Sequence, residues 1–174
     1  LRSRPDYSEL LDPAWLDCPR MSEWSRSRAK RNLGGHLDGN HPFRPGFLFE
    51  SGVRPWRSFP FDAVLWYQGE TTAEIDDEAW HRRMLEDLVT GWRGALENQS
   101  LPFVIIQLPR IGGNDPLRKH WPAFRKAQAA AASSLAGVKL VETIDLGWDS
   151  PDVHPPDKKP IAERVAAALV GASK

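Results

Sequence analysis

Cys18 is the sole cysteine in 174 residues, so no internal disulfide can form. That leaves the compartment open, because many exported proteins also lack disulfides. Net charge is absent as well: 23 Lys and Arg balance 23 Asp and Glu. A nucleic-acid footprint needs a basic face, so the balance argues against that class of partner. No apolar run approaches the roughly 18 residues that would mark a membrane span. No Gly-x-x-x-x-Gly-Lys loop is present to cradle a phosphate, and no Gly-x-Gly-x-x-Gly to hold a dinucleotide. A Gly-x-Ser-x-Gly nucleophile elbow is missing too. His36 and His41 lie among glycines without a cysteine pair or carboxylate pattern, so no metal site is expected. No cofactor is expected either. There is no signal peptide, and the chain opens Leu-Arg-Ser-Arg rather than with Met. It reads as part of a longer protein, which says nothing of the parent's destination.

What the sequence does contain is alternation. The apolar run Ala63-Val-Leu-Trp-Tyr67 suits a strand over about 62–67 buried on both faces. A helix follows over about 74–97, where Trp80, Met84, Leu88 and Trp92 stand four apart and Leu85, Val89 and Leu96 widen the stripe. His81 lies beside that stripe and reads as a partly exposed helix histidine. Leu101–Leu108 is a second buried strand. A helix from about Pro116 or Trp121 to Leu135 comes next, with Gly137 as its cap. Val138–Ile144 is a third strand, and 159–170 a last helix with Ile161, Val165, Ala168 and Leu169 inward. Strand-helix alternation of this kind indicates an α/β domain with a parallel sheet and helices on both faces. Three strands are few, so further strands are expected from an N-terminal part or within residues 1–45. Residues 1–45 read as irregular, with a basic helix from Arg20 to Arg31 packing Met21 and Trp24 inward. Phe47, Leu48, Val53 and Trp56 make a short helical stripe after Pro45-Gly46.

Chemistry concentrates where strands end. Gln68-Gly69-Glu70 places an amide, a flexible backbone and a carboxylate outside a strand's carboxyl end, where open parallel sheets bind ligands. The same residues also describe a plain strand-to-helix turn. His154 lies in the loop before the last helix, two residues from Asp152, with Asp145 and Asp149 upstream. A carboxylate that orients a histidine, leaving the second ring nitrogen to take a nucleophile's proton, is hydrolase chemistry. Asp-x-His alone also describes a surface pair flanked by prolines. Gln68 is the natural partner, since an amide can donate to a developing oxyanion. Eight tryptophans are many for this length. Trp66, Trp121 and Trp148 could stack on sugars, although core or rim packing is the commoner use.

Two blocks together resemble the sialate O-acetylesterase family of SGNH (GDSL-like) esterases. Trp66-Tyr-Gln-Gly-Glu70 is similar to its Trp-Tyr-Gln-Gly-Glu-Ser-Asn block. Asp152-Val-His154-Pro, followed by Lys158-Lys159 and Ala162-Glu-Arg164, resembles its terminal Asp-x-His-Pro block. His41–Phe49, Leu101–Pro109 and Thr143–Gly147 resemble intervening segments, so the likeness spans about 40–170. It implies a flavodoxin-like α/β/α sandwich, incomplete at the N-terminus, with residues 46–174 as the C-terminal part of one esterase domain. It implies removal of O-acetyl groups from sugars, sialate esters before xylan, and it is compatible with export. By position, His154 would be the general base and Asp152 its acid, with Asp145 or Asp149 as alternatives. Gln68 would be the oxyanion donor, Gly69 would lie beside it, and Glu70 would buttress the block. The family's Ser-Asn is Thr71-Thr72 here. Its nucleophilic serine block has no counterpart among the serines of this chain, so the nucleophile is expected outside it and the chain alone is expected to be inactive. A degenerate or carbohydrate-binding module of the same fold is the alternative from another class.

Overall fold

A computed structural model of the chain describes residues 23–34 and 47–171. They fall into two compact units. The first lies within Leu1–Pro60 and Gly91–Asn98, the second within Phe61–Thr90 and Gln99–Lys174.

In the first unit, α1 (Glu23–Leu33) buries Ala29 and Leu33 on one face, four residues apart as a helix requires. It occupies part of the expected basic helix, while Met21 and the Trp24 side chain lie outside the described residues. The short α2 (Phe47–Gly52) stops well before Pro55, and its stripe is not buried: Leu48 and Trp56 are exposed. Phe49 meets Trp92 edge-on, with centroids 5.6 Å apart.

The second unit carries the sheet. Strands β1 (Val64–Trp66), β2 (Phe103–Ile106) and β3 (Val138–Val141) pair in parallel in the order β1-β2-β3. Helices α3 (Glu78–Ala95, whose last turn belongs to the first unit) and α4 (Trp121–Ser134) cross between successive strands. The final helix α5 (Lys159–Val170) has the bounds its stripe predicts. Alternate residues of β2 point to opposite faces and find different covers. Val104 and Ile106 pack with Val141, Ile161 and Val165 beneath α5, while Ile105 packs with Leu85, Ala131 and Ala132 beneath α3 and α4. The result is an α/β/α sandwich.

Two expectations change. β1 is three residues long, and Leu65 at its centre is 51% exposed rather than buried. Leu65 pairs with Val104 and shares its face, but α5 covers β2 and β3. No described residue before β1 adds a strand to the sheet. Gly137 does not cap α4, whose C-cap is Leu135. Its positive φ of 70° instead turns the chain into β3.

The upper end of β2 is held from an unusual side. Even-numbered residues of β2 face β1, as in the Val64 N–H donation to the Pro102 carbonyl at 2.9 Å. Odd-numbered ones face β3, as in the Gln107 N–H donation to Val141 O at 3.0 Å. Beyond Trp66, β1 leaves the sheet, and the groups of Ile106 and Leu108 on that edge need other partners. The fully buried side chain of Gln128, from α4, supplies both. Its Oε1 accepts from Leu108 N–H at 3.0 Å and its Nε2 donates to Ile106 O at 3.2 Å. On the other edge the Thr143 hydroxyl donates to Gln107 O.

Candidate active site

Once released from the sheet, Tyr67 to Glu70 form a short loop before the tight turn Thr72–Glu74. Gly69 has φ of 146°, a region that an L side chain rarely adopts. A Cβ there would sit 2.3 Å from the Phe124 ring. Glycine is therefore required twice, for its dihedral and for the close approach of the ring. The Gly69 N–H donates to Glu70 Oε2 at 3.0 Å, so the acid closes its own loop. Arg118 Nη1 reaches the Glu70 carbonyl at 3.4 Å and the buried Glu74 carboxylate at 3.1 Å. The exposed Gln68 amide donates to the Thr72 hydroxyl at 3.4 Å. Burial pushes the Tyr67 phenol up, with the charge of Glu70 adding to the effect. Its hydroxyl accepts from Lys158 Nζ at 3.4 Å, and that ammonium lies 4.9 Å from the ring centroid.

His154 and Asp152 meet at the far end of the unit's chain. Asp152 Oδ1 accepts from His154 Nδ1 at 2.7 Å, in the tautomer that leaves Nε2 with its lone pair, and from the His154 backbone N–H at 2.9 Å. The two-residue spacing closes a small ring, which fixes the imidazole against its own backbone. These hydrogen bonds hold the Asp152 carboxyl below the usual carboxylate range, so it stays ionised. The loop itself is pinned: Trp148 Nε1 donates to Asp152 O at 2.8 Å, and the Asp152 N–H donates to Ser150 Oγ at 3.2 Å. Asp145 is engaged elsewhere, gripped by both Arg164 nitrogens at 2.7 and 2.5 Å, which also lowers its pKa. Asp149 packs against Gly112. Among the three carboxylates, Asp152 alone touches the imidazole. The His154 side chain is 80% exposed, and no described serine lies within hydrogen-bond distance of it.

One apolar cluster supports both segments. Ala73, Leu108, Trp121 and Phe124 form it, and Val153, between Asp152 and His154, packs onto it. Phe124 fills the hollow at Gly69 from the other side. The ends of β1 and of β3 are thereby brought to a common support. No described group of three His, Cys, Asp or Glu side chains could hold a metal ion, and no described helix is long and apolar enough to cross a membrane.

Residues 23–169 match the family model of carbohydrate esterases of the sialic acid-specific acetylesterase type. The chain belongs to this family. Similar curated proteins include the sialate O-acetylesterases of Mus musculus and Rattus norvegicus. Each is 27% identical over 139 residues, covering 71% of this chain. The chain spans about a quarter of their length, 26%. Among solved structures, a carbohydrate acetylesterase from Xanthomonas citri superposes with a TM-score of 0.65 at 28% identity, over 80% of this chain and 31% of that one.

Sequence reasoning missed His81. It is buried to 1% rather than partly exposed, with a ring nitrogen 2.7 Å from Ile75 O and its ring edge-on to Phe124 at 4.9 Å. It thus backs the ring that backs Gly69, and the helical stripe alone could not reveal this. Burial lowers its pKa, against the opposing pull of the Ile75 carbonyl. The folded protein therefore resists a proton that the unfolded chain accepts below about pH 6.5, so stability is complete above that pH and falls as acid is added. The melting temperature should drop between pH 7.5 and 5.5, and by less in His81→Gln. An equal drop in both proteins would show that His81 is not the group responsible.

Proposed function

We propose that this chain forms the base and oxyanion side of a carbohydrate O-acetylesterase. It would act on acetyl esters of sugars, sialate esters first and acetylated xylan second, with a nucleophilic serine supplied from outside this chain. The observation that carries the reading is the Asp152–His154 pair, its Nε2 open, on the same apolar support as Gln68-Gly69-Glu70.

In this reading His154 Nε2 takes the serine hydroxyl proton as the oxygen attacks the acetyl carbonyl carbon. The carbonyl electron pair moves to oxygen, and the Gln68 Nε2–H donates to the charge that develops. Collapse expels the sugar oxygen, which receives the proton from His154. Water then attacks the acetyl-serine by the same route in reverse, releasing acetate. Asp152 holds Nδ1–H throughout and stabilises the imidazolium. Gly69 N–H is already bonded to Glu70, so Gln68 rather than Gly69 is the oxyanion donor, and Glu70 is a positioning residue.

The absence of any described serine beside His154 favours a second reading, a non-catalytic carbohydrate-binding module of the same fold. Hydrolysis of p-nitrophenyl acetate separates the two. The 174-residue chain should show no turnover that depends on His154. A longer polypeptide that supplies the serine should show it. Turnover by the 174-residue chain, lost in His154→Ala, would sink the external nucleophile. A longer polypeptide that binds sugars without releasing acetate would favour the binding module.

A further inference from the structure

Gln68 and His154 follow the ends of β1 and β3, strands that are not neighbours, because β2 lies between them. No strand pairing therefore fixes the distance from one to the other. On the α4 side both segments rest on the shared apolar cluster, with Phe124 against Gly69 and Val153 packed onto the same group. A second tie lies on the α5 side, and proton transfer does not use it. The Tyr67 ring, immediately before Gln68, packs on the cluster of β2 and α5 that holds Ile106 and Ile161. Lys158, the N-cap residue of α5, reaches it from above. Its Nζ lies 3.4 Å from the Tyr67 hydroxyl and 4.9 Å from the ring centroid. No carboxylate pairs with this ammonium among the described residues, whereas the neighbouring Lys159 takes Glu163 at 3.8 Å.

Each end of this contact is closely joined to a site residue. Tyr67 and Gln68 are consecutive, and the Gln68 side chain has one described hydrogen bond of its own, the 3.4 Å contact with Thr72. Where the Tyr67 ring sits thus decides where the Gln68 amide starts. Between His154 and Lys158 come Pro155 and Pro156, whose rings fix φ, and Pro155 is buried. Asp157 then accepts from the Lys159 N–H at 3.1 Å, and Lys158 O accepts from the Ala162 N–H at 3.0 Å. A segment this constrained moves as one piece, so what holds Lys158 holds His154. The contact itself is modest. A hydrogen bond of 3.4 Å is long. An exposed cation over a ring shifts an equilibrium by about two- to fivefold. Reaction rate is more sensitive than stability to such a contact, because misplacing reacting groups by about 1 Å can cost about 10^2-fold.

We propose that Tyr67 and Lys158 form a latch that sets the distance between the oxyanion donor Gln68 and the base His154. Both are positioning residues: neither passes a proton in the reaction, and neither has to touch the acetyl group. The inference rests on the esterase reading and adds to it the device that brings the two halves of the site into register. With the apolar cluster on the α4 side and the latch on the α5 side, both segments are held from two directions.

Two measurements test the latch. In proton–nitrogen correlation spectra of the 174-residue chain, Lys158→Met should shift the Gln68 side-chain amide and the His154 backbone N–H. Lys158→Arg should leave both near their original positions, since a guanidinium also stacks on an aromatic face. Lys159→Met, which removes the neighbouring charge but not the latch, should move the Gln68 amide far less. In a longer polypeptide that releases acetate, Lys158→Met should lower kcat by about 5- to 30-fold and leave KM within about twofold. Lys158 is exposed, so the melting temperature should stay within about 3 °C. Lys158→Arg should recover at least half of the lost rate, and Tyr67→Phe, which keeps the ring, should lose less than Lys158→Met. Unmoved Gln68 signals in Lys158→Met, a kcat within about twofold of wild type, or a loss confined to KM would overturn the latch. So would a Lys158→Arg variant as slow as Lys158→Met. The spectra need no turnover. A polypeptide that carries the serine yet releases no acetate defeats the esterase reading, while the Gln68 and His154 signals still decide whether the latch exists.

Discussion

His154→Ala should lower acetate release by about 10^4-fold in a polypeptide that carries this domain together with its serine. In the proposed reaction the imidazole accepts the serine proton, so its removal would leave only binding and oxyanion stabilisation. Asp152→Asn should cost less, on the order of 10^2-fold, because the pair is exposed and water can partly replace the lost acceptor. Asp145→Asn should leave the rate within about twofold, since Arg164 rather than His154 holds that carboxylate. These rates need only steady-state hydrolysis of an acetyl ester, with folding of each variant checked by circular dichroism. A loss on Asp145→Asn equal to that on Asp152→Asn would show that the wrong acid is assigned. Full activity in His154→Ala would remove the base altogether.

Gly69→Ala should be strongly damaging for a change of one methyl group. The backbone at φ of 146° strains any L residue, at about 1–3 kcal/mol. The added Cβ also meets Phe124 Cε1 and Cζ at 2.3 and 2.5 Å. Phe124 cannot yield easily, for it is buried in the cluster and edges onto His81. Overpacking adds about 1–3 kcal/mol, so urea unfolding should report a loss of about 2–6 kcal/mol. The two terms can be separated. Combining Gly69→Ala with Phe124→Leu relieves the clash but not the strained dihedral, so the double variant should be more stable than the sum of the single changes predicts. Strict additivity would place Phe124 out of contact. A stability within 0.5 kcal/mol of wild type for Gly69→Ala would contradict the loop geometry itself.

Much of this architecture can be read from the sequence because its helices and strands obey their periods. The last helix is legible to the residue, since Pro160 at its first turn and the stripe from Ile161 to Leu169 agree. Asp152 and His154 are two residues apart in sequence, so their contact needs no tertiary knowledge. What stays hidden depends on residues far apart. The β2 groups left beyond the end of β1 are satisfied by Gln128, more than sixty residues downstream, which no local pattern reveals. The exposure of Leu65 follows from which strands α5 covers, not from the apolar run that contains it. His81 is buried because an Ile75 carbonyl and a Phe124 ring enclose it, and neither lies on its own stripe.

Gln128 has a consequence that extends to how such a domain can vary. A primary amide carries the same donor and acceptor as a peptide unit, so α4 contributes one artificial rung to the sheet just where β1 departs. The ladder is completed by a helix, not by the loop that bears Gln68. Residues 67–71 are therefore relieved of any duty to the sheet's hydrogen bonding. Their course is set by the Gly69–Phe124 approach and the contacts of Glu70 instead, not by the ladder of β2.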